Sequence, residues 1–289
     1  MHNNLVVLAG GASSRMKATG LTDGLTSEEI NQANTRSKGL IAIDTNGRPL
    51  LDYLLFNAKR AGYQNIFMVT GANNDLFKEY FGKESRDNNF NGLNISYAIQ
   101  HIPMGREKPL GTCDAVFQAM EQYPKLKDEA FTVCNSDNLY SENALRLLRE
   151  TVATNALISY DRDALLFSSE RIHRFALMRF SQDVYLEDIV EKPKPSEVEK
   201  YRDVSGKFRV SMNIFKFNGP IFYLFAKECP MHPIRQEKEL PAALMNMVKK
   251  YPGSVVGIPM AENVPDLTSK EDIGILKNYF KQHGFRLEW

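Results

Sequence analysis

A turn of small residues near the start of the chain has the composition of an anion-binding site. The apolar run Leu5–Ala9 is followed by Gly10, Gly11, a short Ala-Ser-Ser stretch and then Arg15. Glycines let backbone N–H groups approach an anion closely, and a guanidinium can donate two parallel hydrogen bonds to a phosphate. The turn lacks the Gly-Lys-Ser/Thr ending of an ATPase P-loop and the third glycine of the dinucleotide fingerprint. We therefore predict a phosphate cradle, with a plain tight turn of an α/β protein as the alternative.

An aspartate follows a second apolar run. Phe131–Asn135 has the composition of a buried strand, and Asp137 comes shortly after it. In open α/β folds ligands bind at the carboxyl ends of the strands, so this carboxylate is expected at the binding edge of the sheet. Mg²⁺ is usually held by one or two carboxylates together with substrate phosphates. We predict Asp137 as a Mg²⁺ ligand.

The first half of the chain alternates short β-rich runs with helical patterns, which predicts a mostly parallel sheet with helices on its faces. The predicted strands are Leu5–Ala9, Ile66–Thr70, Ile95–Gln100 and Phe131–Asn135. The predicted helices are Pro49–Ala61, followed by Gly62, one that begins near Thr112, and one capped by Ser141.

The alternation breaks in the second half. Two strand-like runs between Phe175 and Val190 flank a polar turn, which predicts a hairpin, and Phe208–Phe217 reads as one further strand. An antiparallel excursion on a parallel sheet fits this pattern. Toward the end we predict a helix at Leu240–Lys250 and a short strand at Val255–Ile258. Thr268 and Glu271 have the spacing of a capping box ahead of the last helix.

The composition excludes several classes of protein. Lys plus Arg (36) nearly balance Asp plus Glu (35), so no global field favours nucleic acid or an anionic membrane. The three cysteines are widely spaced without a CxxC pair, which argues against a disulfide framework or a zinc site. The first apolar run is too short for a signal peptide or a membrane span. We expect a cytoplasmic protein without a nucleic-acid or membrane partner.

The opening motifs resemble the signature of the sugar-phosphate nucleotidyltransferase family. In the family's first segment, a glycine turn, an arginine and a lysine bind the triphosphate. This segment is similar to Leu8–Met16 together with Lys38 and Gly47–Leu51 further along the chain. The resemblance implies that the phosphates are held by Leu8, Ala9, Gly10, Gly11, Arg15 and Lys38. A triphosphate carries about four negative charges, which Arg and Lys are suited to bind.

Two later segments resemble the base site of this family. Gln100 is similar to its base-recognition glutamine, and Gly111–Ala115 to its Gly-Thr-Ala-Asp-Ala segment at a helix start. The resemblance implies that Gln100 and Gly111 face the base and that Thr112 and Asp114 belong to the nucleotide site. A glutamine offers a donor and an acceptor in one plane, and a glycine lets a base edge meet the backbone without a Cβ clash.

The second half resembles the family's sugar site and the rest of its metal site. Val190–Pro193 is similar to a Val-Glu-Lys-Pro segment, and Ser211–Phe215 to a strand that supplies an asparagine to the sugar. The resemblance assigns the sugar phosphate to Glu191, Lys192 and Asn213. Asp266 lies in a segment similar to the one that closes the family's domain, and it is implied as the second Mg²⁺ ligand.

The resemblance also has implications for the fold and the organisation of the chain. It implies an α/β, Rossmann-like and GT-A-like fold, with a mostly parallel central sheet, helices on both faces and an antiparallel excursion for the sugar site. We expect one domain over residues 1–289, in which 1–140 form the nucleotide-binding half and 141–289 the sugar-phosphate-binding half. Ser136 is a departure, because the family has glycine before the metal aspartate.

The implied reaction joins a nucleoside triphosphate to a sugar 1-phosphate, releases pyrophosphate and uses Mg²⁺. A phosphate monoester, with a second pKa of about 6, is already a nucleophile at neutral pH, so positioning and charge neutralisation suffice. Accordingly, none of the five histidines lies in the motifs. Two alternatives remain: a cytidylyltransferase acting on a non-sugar alcohol phosphate, and a catalytically silent binder of nucleotide or sugar phosphate. A glycosyltransferase would need an Asp-x-Asp motif, which Asp137–Leu139 does not supply. The base, the sugar and the oligomeric state stay open.

The segment Lys17–Ser37 is long, polar and weakly periodic apart from a short helical pattern. Loops of this length in compact domains are usually functional or disordered. Because residues predicted to bind phosphate lie at both of its ends, we hypothesise that it forms a lid over the triphosphate. Unchanged nucleotide affinity after shortening the segment would count against this.

Overall fold

The structure, a computed structural model, describes residues 1–18, 24–172, 175–191 and 193–289. Its strands are β1 (Asn4–Leu8), β2 (Asn65–Thr70), β3 (Asn88–Phe90), β4 (Leu93–Ile99), β5 (Ala130–Asn135), β6 (Asn155–Asp161), β7 (Leu177–Phe180), β8 (Leu186–Val190), β9 (Arg209–Val210), β10 (Phe215–Asn218) and β11 (Val255–Met260). Its helices are α1 (Ser27–Thr35), α2 (Leu50–Arg60), α3 (Asp75–Phe81), α4 (Thr112–Gln122), α5 (Lys125–Asp128), α6 (Glu142–Glu150), α7 (Ser169–Ile172), α8 (Gly219–Lys227), α9 (Leu240–Lys250) and α10 (Glu271–His283).

The strands form one mixed sheet whose centre is parallel. Their order across the sheet is β3-β4-β2-β1-β5-β10-β6-β9-β7-β8, and β11 pairs with β6. β1 runs parallel to both of its neighbours, β2 and β5, and β2 runs parallel to β4. β10 lies antiparallel between β5 and β6, while β7, β8 and β9 make the antiparallel excursion. The predicted fold class is confirmed.

The central strand explains why the phosphate turn and Asp137 meet. Leu5 and Val7 of β1 pack into the core on one face of the sheet, and Val6 packs into the core on the other. A parallel strand buried on both faces is apolar throughout rather than alternating. Leu8 lies opposite Asn135 in the register of β1 and β5, so the two strands end at the same edge. The residues that follow each strand are therefore neighbours.

Two of the predicted helices are confirmed together with their ends. The apolar stripe of α2 is fully buried, and the chain leaves the helix through Gly62 at φ +92°. That conformation favours glycine, as expected for the position after a helix C-cap. At the start of α6, Ser141 Oγ accepts a hydrogen bond of 3.0 Å from the backbone N–H of Ala144. The end of α2 and the start of α6 are therefore set by capping residues that can be read directly from the sequence.

The prediction of one strand over Phe208–Phe217 is wrong. The segment is divided into β9 and β10, which both pair with β6 but have different second neighbours, β7 and β5 respectively. Between them Asn213 adopts φ +56°, in the left-handed region. A non-glycine residue in that region interrupts an extended strand. The interruption frees Asn213 from the ladder.

The predicted capping box of Thr268 and Glu271 is also wrong. Asp272 Oδ2 accepts hydrogen bonds from the backbone N–H groups of Thr268 (2.8 Å) and Ser269 (2.7 Å). Thr268 Oγ1 donates instead to Asp266 Oδ2 at 2.7 Å. The threonine that the pattern assigned to a helix cap therefore orients a carboxylate of the site.

Part of the long polar segment is helical and is attached to the C-terminal helix. α1 begins with a capping box formed by Thr26 and Glu29. Glu29 is also ion-paired with Lys277 of α10. Lys270, which precedes α10, donates a hydrogen bond of 2.8 Å to the carbonyl of Ala18. Residues 24–35 are thus held against the end of the chain, while residues 19–23 lie outside the described residues.

Candidate active site

A cavity of about 460 Å³ opens at the carboxyl ends of β1 and β5. The predicted site residues that line it are Leu8, Ala9, Gly10, Gly11, Arg15, Lys38, Gln100, Gly111, Thr112, Asp137, Glu191 and Asn213. Asp114 and Asp266 are not part of the lining, and Lys192 lies outside the described residues. The fold therefore brings residues from both halves of the chain to one cavity.

The glycine turn forms one end of the cavity. Its start is fixed by hydrogen bonds from Ala9 N–H to Val69 O (2.8 Å) and from Ser37 Oγ to Ala9 O (3.1 Å). A Cβ on Gly10 would lie 3.2 Å from the carbonyl carbon of Thr70, so a side chain would push the turn away from β2. The turn can therefore lie close to the sheet only with glycine at this position. Within the described part of the chain, the backbone N–H groups of Gly10 and Gly11 have no hydrogen-bond partner and can meet an anion.

Lys38 and Asp137 form a close ion pair beside this turn. Lys38 Nζ lies 2.6 Å from Asp137 Oδ2, with the two side chains 15% and 20% exposed. Lys38 reaches this position because the next residue, Gly39, packs on Ser136: a Cβ there would be 3.0 Å from Ser136 O. The ion pair places a cation and a carboxylate beside the glycine turn.

Asp266 lies next to Asp137 through a short backbone pairing. Leu267 N–H donates to Asp137 O, and Leu139 N–H donates to Pro265 O, both at 2.8 Å. Burial raises the pKa of Asp266 to about 6, and the negative charge of Asp137 adds to this effect. The two carboxylates are therefore close enough to repel each other, although they come from opposite halves of the chain.

Arg171, which the sequence did not single out, also belongs to this cluster. Its guanidinium is ion-paired with Asp266, and it lies 2.5 Å from Asp272 Oδ1. Its positive charge offsets part of the repulsion between the two carboxylates. Arg171 is on the short helix α7, and no motif surrounds it in the sequence. Only the folded chain shows that it reaches Asp266.

The oxygens of the two aspartates are suited to share a cation. Lys38 binds Oδ2 of Asp137, and Arg171 and Thr268 bind Oδ2 of Asp266. Within the described residues, Oδ1 of each side chain accepts no hydrogen bond. No group of three or more His, Cys, Asp or Glu side chains in that part of the chain is arranged to hold a metal ion. Two carboxylates completed by phosphate oxygens are a donor set that suits Mg²⁺.

Gln100 lies on the cavity wall beside the glycine turn, with its amide orientation fixed. Its Nε2 donates to Gly111 O and to Asp114 Oδ2, both at 3.0 Å. Because both partners are acceptors only, the NH₂ group must point toward them and Oε1 must point away. Asp114 is buried and also accepts 2.8 Å from Gln118 Nε2. Asp114 thus positions Gln100 from behind instead of lining the cavity.

The structure gives Gly111 a different reason to be glycine from the one we predicted. Its φ is +108°, and a Cβ would lie 2.6 Å from Lys238 O and 3.1 Å from the Cβ of Glu237. The space that a side chain would need is filled by the 237–238 segment, not left open for a base edge. Gly111 is therefore required by packing and by its backbone conformation.

A buried tyrosine fixes the backbone beside Asn213, which also lines the cavity. Tyr140, which is fully buried, donates a hydrogen bond of 2.7 Å to the carbonyl of Met212, directly before Asn213. Across the cavity, Glu191 is bound by Arg235 at 2.7 Å. Arg235 also binds Glu239 at 2.6 Å. The pairing with Arg235 fixes the carboxylate of Glu191, which the resemblance assigned to the sugar.

Removing the Tyr140 hydroxyl is expected to affect binding near Asn213 selectively. The Tyr140→Phe variant leaves Met212 O without its partner, which should lower the free energy of unfolding by about 1–2 kcal/mol. Because the same carbonyl fixes the turn at Asn213, the KM for the acceptor phosphate should rise severalfold with the KM for nucleotide unchanged. Urea unfolding and steady-state kinetics measure the two effects.

The matched control is Tyr123→Phe. Tyr123 also donates 2.7 Å to a buried carbonyl, that of Tyr97, but no residue next to Tyr97 lines the cavity, whereas Asn213 follows Met212. Its variant should lose similar stability and keep the KM for the acceptor. An equal rise of that KM in both variants would contradict a positioning role for Tyr140.

A comparison with known protein families gives a match over almost the whole chain. The model of the family described as "Nucleotidyl transferase" matches residues 5–286. The matched range includes all the residues that line the cavity.

Curated relatives are distant. The chain is 24% identical over 151 residues to the D-glycero-alpha-D-manno-heptose 1-phosphate guanylyltransferase of Aneurinibacillus thermoaerophilus. The aligned region covers 52% of this chain and 53% of that protein. It is 24% identical over 244 residues to the bifunctional protein GlmU of Staphylococcus haemolyticus. Here the aligned region covers 83% of this chain and 44% of that protein. The matches thus span about half the length of these relatives.

Among solved structures, a UDP-glucose pyrophosphorylase complexed with UDP-glucose is similar with a TM-score of 0.69 and 16% identity. The superposition covers 98% of this chain and 100% of that one. At this identity the similarity establishes the shared fold. Separately, the part of the chain that the structure describes contains no helix both long and apolar enough to span a membrane.

Proposed function

The chain belongs to the nucleotidyl transferase family, and from this premise we propose that it joins a nucleoside triphosphate to a sugar 1-phosphate, with release of pyrophosphate and formation of a nucleoside diphosphate sugar. The observation that carries the proposal is that Arg15, Lys38 and Asp137, with Asp266 paired behind them, lie beside the glycine turn in a cavity that Asn213 also lines.

The residues at the phosphate end are suited to stabilise a departing pyrophosphate. Arg15 is exposed, lines the cavity and forms no ion pair with described residues, so its guanidinium is available to the triphosphate. Lys38 is held by Asp137 at 2.6 Å, which orients its ammonium toward the same region. Charge neutralisation at the leaving group is the main contribution that a protein makes to phosphoryl-type transfer.

Asp137 and Asp266 would hold Mg²⁺ through the oxygens that Lys38 and Arg171 leave free. When bound, the ion would supply positive charge to the α-phosphate as a Lewis acid. The described lining residues include no histidine. This fits a reaction whose nucleophile, the acceptor phosphate, is already ionised at neutral pH.

Both halves of the chain are proposed to contribute to the substrate site. Residues 1–140 supply the glycine turn, Lys38, Gln100 and the first metal aspartate, and residues 141–289 supply Glu191, Asn213 and the second. We propose that Glu191, Lys192 and Asn213 bind the acceptor. Since Glu191 is paired with Arg235, an alcohol phosphate remains a second candidate for the acceptor.

The test is pyrophosphate release from purified protein, with five nucleoside triphosphates crossed against hexose 1-phosphates and alcohol phosphates. We expect release with one combination of nucleotide and sugar 1-phosphate, its loss on addition of EDTA, and recovery with excess Mg²⁺. Release with an alcohol phosphate alone would replace the sugar by the second candidate. Nucleotide binding without release under any combination would indicate a silent binder instead of an enzyme.

A further inference from the structure

One carboxylate in the cavity differs from the others in having no cation beside it. Asp137 is paired with Lys38, and Glu191 and Glu239 are both paired with Arg235. Glu237 also lines the cavity, but within the described residues it forms no ion pair and no side-chain hydrogen bond. An unpaired, half-buried carboxylate that faces a ligand cavity is a strong candidate for ligand contact.

The position of Glu237 is fixed by the backbone on both of its sides. Lys238 N–H donates 2.5 Å to Leu110 O, and Lys238 O accepts 3.0 Å from Cys113 N–H. Before it, the carbonyl of Gln236 accepts 2.8 Å from Arg106. The segment is therefore attached to the start of α4, and the Cβ of Glu237 lies against Gly111, at the end of the cavity that contains Gln100.

Gln100 contributes a second acceptor at the same end. Its NH₂ group is engaged by Gly111 O and Asp114, so only Oε1 remains for a ligand. Oε1 would be 3.5 Å from a Cβ built on Gly10, which places it on the side of the glycine turn. The backbone N–H of Gly111 has no partner among the described residues and supplies a donor on the same wall.

Among the polar groups of this wall, Gly111 N–H, Gln100 Oε1 and Glu237 supply one donor and two acceptors, and one of the acceptors carries a negative charge. Guanine displays the complementary set on one edge: a carbonyl, a ring N–H and an amino group. Adenine has no ring N–H on that edge, uracil and thymine have no amino group, and cytosine has two acceptors and one amino group. Only guanine offers two adjacent donor groups to two acceptors.

Resting on the proposed function, we propose that Glu237 is a specificity-determining residue that accepts a hydrogen bond from the 2-amino group of a guanine nucleotide, with Gln100 Oε1 accepting from the ring N–H. A buried acceptor that loses its donor keeps its desolvation cost, so a base that lacks the amino group should bind much less well. The preferred nucleoside triphosphate is then GTP.

The test compares GTP with ITP, which lacks only the 2-amino group, by isothermal titration calorimetry on the full chain with Mg²⁺. For the native protein we expect GTP to bind at least about tenfold more tightly than ITP, the range of one charge-assisted hydrogen bond. In Glu237→Ala this ratio should fall to within about twofold through weaker GTP binding, with ITP affinity nearly unchanged. Glu237→Gln, which keeps a neutral acceptor, should be intermediate.

The matched control is Glu228→Ala, because Glu228 is exposed and lies outside the cavity. Its GTP-to-ITP ratio should equal that of the native protein. Retained ITP affinity shows that the Glu237 variants are folded. Equal binding of GTP and ITP by the native protein, tighter binding of another triphosphate, or a ratio unaffected by Glu237→Ala would overturn the inference while the transferase proposal stands. Failure of every triphosphate to bind would overturn both.

Discussion

Replacing Asp137 with asparagine is expected to lower kcat about a thousandfold without unfolding the protein. The amide of the Asp137→Asn variant would keep the shape of the side chain but lose its negative charge, which the proposed metal site and Lys38 both need. Loss of a group that acts on the transferring phosphate typically costs about 2.7–4 kcal/mol in the transition state. Pyrophosphate release at saturating substrates measures the effect.

The control for this variant is Asp128→Asn, at an exposed carboxylate of α5 without an ion pair among the described residues. It should retain full activity. Thermal unfolding of both variants checks that lost charge, not lost structure, explains the result. If the Asp137→Asn protein kept more than a tenth of native kcat over a range of Mg²⁺ concentrations, the metal assignment of Asp137 would be wrong.

Removing the guanidinium of Arg15 is expected to lower kcat/KM for the nucleoside triphosphate about a hundredfold. Arg15 follows the glycine turn and is held by no other described group, so Arg15→Ala should leave the fold intact and remove one positive charge from the proposed pyrophosphate site. The Arg15→Lys variant should recover only part of the loss, since an ammonium lacks the planar, bidentate geometry of a guanidinium. Affinity for pyrophosphate in the reverse reaction should fall in parallel.

Lys17 provides the matched control for Arg15. It is an exposed cation two residues further on, and it does not line the cavity. Lys17→Ala should change kcat/KM by less than about twofold, as expected for a solvated charge. Equal losses in the Arg15 and Lys17 variants would indicate general electrostatic attraction in place of a specific contact. Added salt would then remove the difference in kcat/KM between each variant and the native protein.

The parts of the site that could be predicted are those in which a strand delivers a residue directly. The glycine turn follows β1, and Asp137 follows β5, so the parallel register alone brings them to one edge. Helix limits at Ser141 and Gly62 were also predictable, because caps depend on residues near in sequence. The family resemblance added the order of the motifs along the chain.

The parts that could not be predicted depend on contacts between distant segments. Arg171 reaches Asp266 across the fold, and no spacing rule connects them. The left-handed conformation of Asn213 divides a segment that reads as one strand into two pieces, both paired with β6 but with β7 and β5 as their other neighbours. Likewise, the tight approach of Lys238 to Gly111 is invisible in either local sequence.

The backbone pairing that joins residues 137–139 to residues 265–267 has a consequence for the protein during its synthesis. A nascent chain that has emerged as far as β8 already contains the glycine turn, Lys38 and Asp137, but it has no second carboxylate. If Asp266 holds the ion as proposed, such a chain cannot consume nucleotide on the ribosome. Turnover would begin only after translation has passed residue 266 and the new segment has docked beside Leu139.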